Sequence, residues 1–145
     1  MGKVWICDAG SDPKPDGDRF QLAVEALGTG EIVGAVGSHQ ADARTGWFEY
    51  GITIGAEHRR QGYAAEAAVM LLRFMFDENR YRKCQVRIFA HNEASLALHR
   101  RLGFVEEGRL RGLVYLSGRH HDVVMMGMLA HEFTQAHPTT TTASP

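Results

Sequence analysis

Residues 50–66 read YGITIGAEHRRQGYAAE, and this stretch decides the fold. It begins as the end of a strand. In residues 47–54 (WFEYGITI), Phe48, Tyr50, Ile52 and Ile54 recur on one side with a period of two. The pattern changes after Gly55. Across residues 61–79, Ala65, Ala68, Val69, Leu72 and Phe76 fall at helical spacing, among good helix formers. Between strand and helix lie Arg59, Arg60, Gln61, Gly62, Tyr63 and Ala64. The first turn of a helix carries unpaired N–H groups and a partial positive charge. Gly62 lets a ligand approach the main chain, and the small Ala64 keeps the entrance open. The segment is therefore a candidate phosphate cradle built largely of main chain, with Arg59 and Arg60 adding charge at its mouth. A solvated basic loop capping a helix fits the same residues. The Gly-Lys-Ser/Thr of a P-loop and the GxGxxG fingerprint are both missing.

Working outward, residues 20–27 (FQLAVEAL) and 31–38 (EIVGAVGS) read as two arms of a hairpin turned at Gly28 and Gly30, so three strands precede the long helix as an antiparallel meander. Downstream, Cys84, Val86, Ile88 and Ala90 alternate as a strand. Residues 92–102 form a second helix with Ala94, Leu98 and Leu102 on one face. Asn92 is placed to cap that helix by accepting from the Ser95 amide, and Gly103 stands where a left-handed C-terminal cap belongs. Residues 104–116 and 120–129 read as two strands joined at Ser117-Gly118. The expected order is β-β-β-α-β-α-β-β: an α/β (α+β) class with a mixed, mostly antiparallel sheet and helices covering it.

The chain has 145 residues, net charge -1, and an ordinary balance of 44% hydrophobic and 23% charged residues, which fits one globular domain. The near-neutral charge argues against binding nucleic acid through bulk positive charge. Arg59, Arg60, Arg100 and Arg101 are offset locally by Glu57, Glu66 and Glu93. No apolar run approaches the roughly 18 residues of a membrane helix, and no charged-then-apolar leader opens the chain. Two cysteines, Cys7 and Cys84, are too few to staple the fold, so a reduced, cytoplasmic setting with packed thiols is expected. All four prolines lie near the ends, at 13, 15, 138 and 145. The expected organisation is a short N-terminal segment and polar loop over 1–18, a core over 19–133, and a disordered threonine-rich tail over 134–145.

Together the two central motifs resemble the GNAT superfamily of acetyl-CoA-dependent N-acetyltransferases. Residues 59–64 (RRQGYA) match its Q/R-x-x-G-x-G/A loop, and Asn92, Ser95 and Leu102-Gly103-Phe104 match its N-x-x-S…LGF signature. The stretches FVEEG at 104–108 and GRHHDVV at 118–124 are most similar to the branch of ribosomal-protein N-terminal and polyamine acetyltransferases. The resemblance covers roughly residues 20–129. It implies that the amides of Gln61, Gly62, Tyr63 and Ala64, assisted by Arg59 and Arg60, hold the CoA pyrophosphate. Ile52, Thr53 and Ile54 would pair with the pantetheine arm like an added strand. Asn92 would bond the pantetheine, and Ser95 or Arg101 would lie near the nucleotide. Residues 1–7 read as one short strand or a remnant. The front helices of the family are missing from the 18 residues before the first clear strand, so a truncated form, an open cleft, or one completed by a second copy (a homodimer) is expected.

Acetyl transfer needs a neutral amine, a donor for the developing oxyanion and a stabilised thiolate, without metal. Glu49 is the one carboxylate in the strand leading to the loop, and family members use such a glutamate as base directly or through water. A surface strand carboxylate is the competing reading. His99 stands where many members have a tyrosine acting as general acid. Tyr115 and His120-His121-Asp122 are candidates for the acceptor cleft, or simply a polar hairpin. The acceptor is expected to be a primary amine, small (such as a polyamine) or a protein N-terminus. A CoA-binding module without turnover is the alternative.

Overall fold

The computed structural model describes residues 2–8 and 18–139. Ten elements follow in order: β1 (Val4–Asp8), β2 (Phe20–Ala26), β3 (Ile32–Asp42), β4 (Trp47–Ile54), α1 (Tyr63–Arg73), β5 (Lys83–Phe89), α2 (Glu93–Leu102), β6 (Val105–Leu116), β7 (Arg119–Leu129) and α3 (Ala130–Ala136). The seven strands are mostly antiparallel, as the sequence suggested. Residues 1–86 and 87–145 form two compact units, each with its own packing.

In the first unit the strands lie in the order β1-β2-β3-β4-β5. β1 is an addition to the expected order: it pairs antiparallel with β2 from Val4↔Ala26 to Asp8↔Leu22. The polar loop read at 9–18 falls outside the described residues except for Asp18, whose carboxylate accepts from the Tyr81 hydroxyl at 2.6 Å. α1 packs against β1, β3 and β4 through Ala67, Ala68, Leu71 and Leu72, all fully buried. The helix expected to run to residue 79 ends its α-helical part at Arg73. It continues as one π turn over Phe74–Glu78, with the Asn79 amide bonding back five residues to the Phe74 carbonyl. That wider turn brings Met75 and Phe76 onto the sheet. The rings of Phe76 and Tyr81 meet the fully buried Phe48 edge-on at 5.4 and 5.5 Å. Truncating Phe48 to alanine would cost about 3–5 kcal/mol.

In the second unit β7 lies between β6 and the end of β5. The β6–β7 ladder closes at Leu116↔Arg119. Ser117 and Gly118 both have positive φ, 53° and 79°, as a two-residue hairpin turn of right-handed twist requires. α2 begins and ends as expected. Asn92 Oδ1 accepts from the Ser95 amide at 3.2 Å, and Gly103 takes φ 110°. Its buried face is different: Leu96, His99 and Leu102 point inward, while Ala94 is exposed and Leu98 half-buried. α3 takes in Thr134, Gln135 and Ala136, which the sequence placed in the tail. Phe133 is its buried anchor, and Glu132 accepts from the Leu129 amide at 2.8 Å. The remainder of the tail from residue 140 lies outside the described residues.

Candidate functional site

The site in the first unit is built along β4. On one side β4 is paired with β3 over its whole length, from Asp42↔Trp47 to Gly34↔Ile54. On the other side its parallel ladder with β5 runs only from Trp47↔Lys83 to Glu49↔Gln85. Past Glu49 the strand continues for five residues beyond that ladder, through Ile52, Thr53 and Ile54. A strand running on past its neighbour offers main-chain N–H and C=O groups to an extended ligand with amides of its own. The pantetheine arm of CoA has that character.

The strand then feeds the loop. Gly55 donates to the Val33 carbonyl, and a single 3-10 turn spans Ala56–His58. Arg59 is exposed and folds back, its Nε donating to the Ile54 carbonyl at 3.2 Å. Arg60 is exposed and holds φ 63°, uncommon for a side chain of its size. Gly62 is the N-cap of α1 at φ 82°, and a Cβ placed there would meet only the Lys3 ammonium, at 3.7 Å. Gln61 is exposed, while Tyr63 and Ala64 are half-buried in the first turn. Two residues that the sequence reading left without a role also meet here. The Lys3 amide donates to both carboxylate oxygens of Glu66, at 2.7 and 2.8 Å, and the Lys3 ammonium donates to the Gln61 carbonyl at 3.3 Å. An acid in the first helical turn was visible in the sequence, but nothing marked Lys3 as its partner. A concavity of about 450 Å³ opens beside them, lined by Gly2, Lys3, Leu27, Gly28, Gln61 and Tyr63.

Glu49 sits at the last rung of the β4–β5 ladder and is only 9% exposed. It is not the surface carboxylate of the competing reading. Cys84, on the neighbouring strand, is fully buried. Burial pushes its thiol well up, the Glu49 charge pushes it further, and a hydrogen bond with the Tyr50 backbone opposes both only in part. The thiol therefore stays protonated and is a poor nucleophile.

In the second unit the predicted residues share one helix. Asn92 is exposed, its Oδ1 committed to the cap. Ser95 is half-buried one turn on, and Arg101 is exposed in the last turn. His99 is 3% exposed, with its ring edge-on to Phe104 at 5.1 Å. Its Nδ1 lies 2.7 Å from the Ser95 carbonyl, an acceptor, so Nδ1 carries the hydrogen. Burial pulls the pKa of His99 below its usual value, with the Ser95 bond opposing. The ring is neutral near pH 7, and Nε2 then has no proton to give. Of the hairpin residues, Asp122 accepts from Arg109 Nε at 2.7 Å and from the Gly112 amide at 2.8 Å. The His121 ring meets that of His91 at a tilt of 50°, with ring centres 4.3 Å apart. Among the described residues no group of three or more His, Cys, Asp or Glu gathers at metal-binding spacing.

Comparison with known proteins adds what geometry leaves open. The sequence profile of the acetyltransferase (GNAT) domain matches residues 3–105. The chain is 35% identical over 121 residues to an uncharacterized N-acetyltransferase, YokL, derived from the SPbeta prophage of Bacillus subtilis, covering 83% of this chain and 67% of that protein. It is 30% identical over 116 residues to the uncharacterized N-acetyltransferase p20 of Bacillus licheniformis, covering 80% and 64%. The chain thus spans about two thirds of the length of these relatives. Among solved structures, mutant forms of the spermidine/spermine N-acetyltransferase SpeG from Vibrio cholerae superpose with a TM-score of 0.77 at 25% identity, over 83% of this chain and 69% of that one.

Proposed function

The chain belongs to the acetyltransferase (GNAT) family, and from that premise we propose that it is an acetyl-CoA-dependent N-acetyltransferase acting on a primary amine. The observation that carries the reading is the course of β4, which leaves its β5 partner at Glu49 and runs on to Ile54 into the Gly62 loop. In this reading Ile52, Thr53 and Ile54 hold the pantetheine amides. The main chain of Gln61, Gly62, Tyr63 and Ala64 at the start of α1 holds the pyrophosphate, with Arg59 and Arg60 at its rim.

The reaction is a direct transfer in a ternary complex. The amine arrives as an ammonium, and Glu49 removes its proton directly or through a water. The free nitrogen attacks the thioester carbonyl, the C–S bond breaks, and the CoA thiolate leaves with a proton from the reacting nitrogen or solvent. Cys84, buried and held as a thiol, supports attack by the substrate amine over an acyl-cysteine route. His99 as a neutral, packed ring is assigned to the interior and not to proton donation. The polyamine class is the favoured acceptor, since a structural relative of 25% identity is named for spermidine and spermine. A protein N-terminus is the other member of the panel. The test is release of free CoA thiol from acetyl-CoA with spermidine, spermine and peptide N-termini, together with mass detection of the acetylated amine. Turnover with none of them would remove the reading.

A further inference from the structure

Moving an acetyl group from a thioester to an ammonium, and leaving a thiol behind, frees one proton per turnover. In the reading above Glu49 takes that proton, yet Glu49 is only 9% exposed and must become a carboxylate again before the next amine arrives. A buried base of this kind needs a route by which its proton reaches solvent.

The strands beside Glu49 hold such a route. Side chains alternate along a strand, so Trp47, Glu49, Gly51 and Thr53 share the face of β4 opposite Phe48 and Tyr50. In the antiparallel ladder with β3, Ser38 pairs with Tyr50 and Gln40 with Glu49, which leaves His39 as one extra residue. A bulge of this kind re-aims a side chain. Here it turns the imidazole over Gly51: a Cβ built on Gly51 would meet His39 Cε1 at 2.8 Å and Nε2 at 2.9 Å. The absence of a side chain at 51 is what gives the ring room. The ring thus lies on the Glu49 face. Gly51 and Glu49 are two residues apart, about 7 Å along the strand, a gap that a carboxylate side chain and one water span. His39 is itself exposed. With Arg19, Gln40, Ala41, Asp42 and Trp47 it lines a solvent-open concavity of about 340 Å³. The charged groups that share its surroundings are Arg19 ahead of β2, Asp42 at the end of β3 and Glu49 on β4.

We propose that His39 relays the reaction's proton from Glu49 to solvent. An N–H bond of the ammonium breaks and its proton passes to the Glu49 carboxylate. The resulting carboxylic acid gives the proton, through a water, to the His39 imidazole in its neutral form, and Glu49 is a carboxylate again. The imidazolium then releases the proton to water in the concavity, which regenerates the imidazole. Imidazole as a class gains and loses a proton readily near neutral pH, which suits it to the step.

The proposal rests on the acetyltransferase reading with Glu49 as base, and the experiment separates the two. Turnover of the wild-type chain with spermidine, spermine and peptide N-termini comes first; none at all removes the function and the relay together. Given turnover, His39→Ala is expected to lower kcat by about tenfold or more while acetyl-CoA affinity holds within about twofold. Free imidazole in the buffer should then raise the kcat of His39→Ala severalfold and saturably, and leave the wild type unchanged. A side chain that only packs is not replaced in this way. Gly51→Ala tests the placement without deleting the imidazole. The backbone there is not left-handed, and the ring, at the end of a flexible side chain, gives way to the new methyl group. Its kcat should fall as in His39→Ala, and the double His39→Ala/Gly51→Ala should fall no further than the larger single loss. Circular dichroism and thermal melting of each variant control for folding. With an active wild type, an unchanged kcat in His39→Ala overturns the relay and leaves the function standing. So does a loss that imidazole does not restore, or a double variant in which the two losses multiply.

Discussion

Gly62→Ala separates the two things the loop does. At φ 82° and ψ 5° the backbone is left-handed, which costs a residue with a Cβ about 1–2 kcal/mol. The surroundings add nothing, because the new Cβ would meet only the Lys3 ammonium at an ordinary 3.7 Å. The expected loss of stability is therefore about 1–2 kcal/mol, a fall of roughly 3–8 °C in Tm for a chain of this size. Loss of acetyl-CoA affinity should exceed that in kind. If the Gly62 main chain faces the pyrophosphate, a methyl group there keeps the phosphates from closing on the amides, and binding should weaken at least tenfold, about 1.4 kcal/mol. Urea denaturation gives the first quantity and isothermal titration with acetyl-CoA the second. The two must both move. A variant that loses stability yet binds acetyl-CoA like the wild type would show that the main chain of this loop is not the phosphate cradle.

Three further outcomes follow from named groups. Glu49→Gln keeps the shape at the last β4–β5 rung and removes the base, so kcat should fall by about 10²–10⁴ while acetyl-CoA affinity holds within about twofold; an unchanged kcat assigns the proton to another group. His99 has a folded pKa below its unfolded value of about 6.5, so the unfolded chain binds more protons as pH drops. Its contribution is complete above about 6.5 and is lost as pH falls through the folded pKa, and His99→Leu should flatten the decline in urea-derived stability between about pH 7.5 and 5.5. An equal slope in wild type and variant would contradict the buried neutral imidazole. Ser38 is 2% exposed with a hydroxyl that has no hydrogen-bond partner among the described residues, so Ser38→Ala should leave stability unchanged or raise it by about 1 kcal/mol, read from thermal melting; a clear loss would mean the hydroxyl is bonded.

The parts legible in the sequence were those that repeat or that punctuate. The period-two run in β4, the Asn92 cap, the Gly103 cap and the Ser117-Gly118 turn are each fixed by one local rule, and each stands where it was placed. The misses are of another kind. β1 is five residues long, VWICD, with too few alternations to tell a short strand from a remnant. α3 is seven residues beside a threonine-rich run, and its signals, Glu132 reaching back to Leu129 and the single anchor Phe133, are individually weak. In α2 the apolar residues Leu96, Leu98 and Leu102 permit two faces, and a buried histidine decided between them. The π turn at Phe74–Glu78 keeps apolar residues coming at nearly helical spacing, so it hides inside α1's pattern. At the site, Glu49 was identifiable as a lone carboxylate in a strand, but its burial depends on where the β4–β5 ladder stops, which is a tertiary property.

Amide hydrogen exchange, followed residue by residue with and without acetyl-CoA, tests the central claim most directly. The account predicts new protection confined chiefly to the amides of Ile52 and Ile54, which face away from β3 past the β4–β5 ladder, and to those of Gln61, Gly62, Tyr63 and Ala64 at the start of α1. Protection that falls elsewhere, or none at saturating acetyl-CoA, would contradict it.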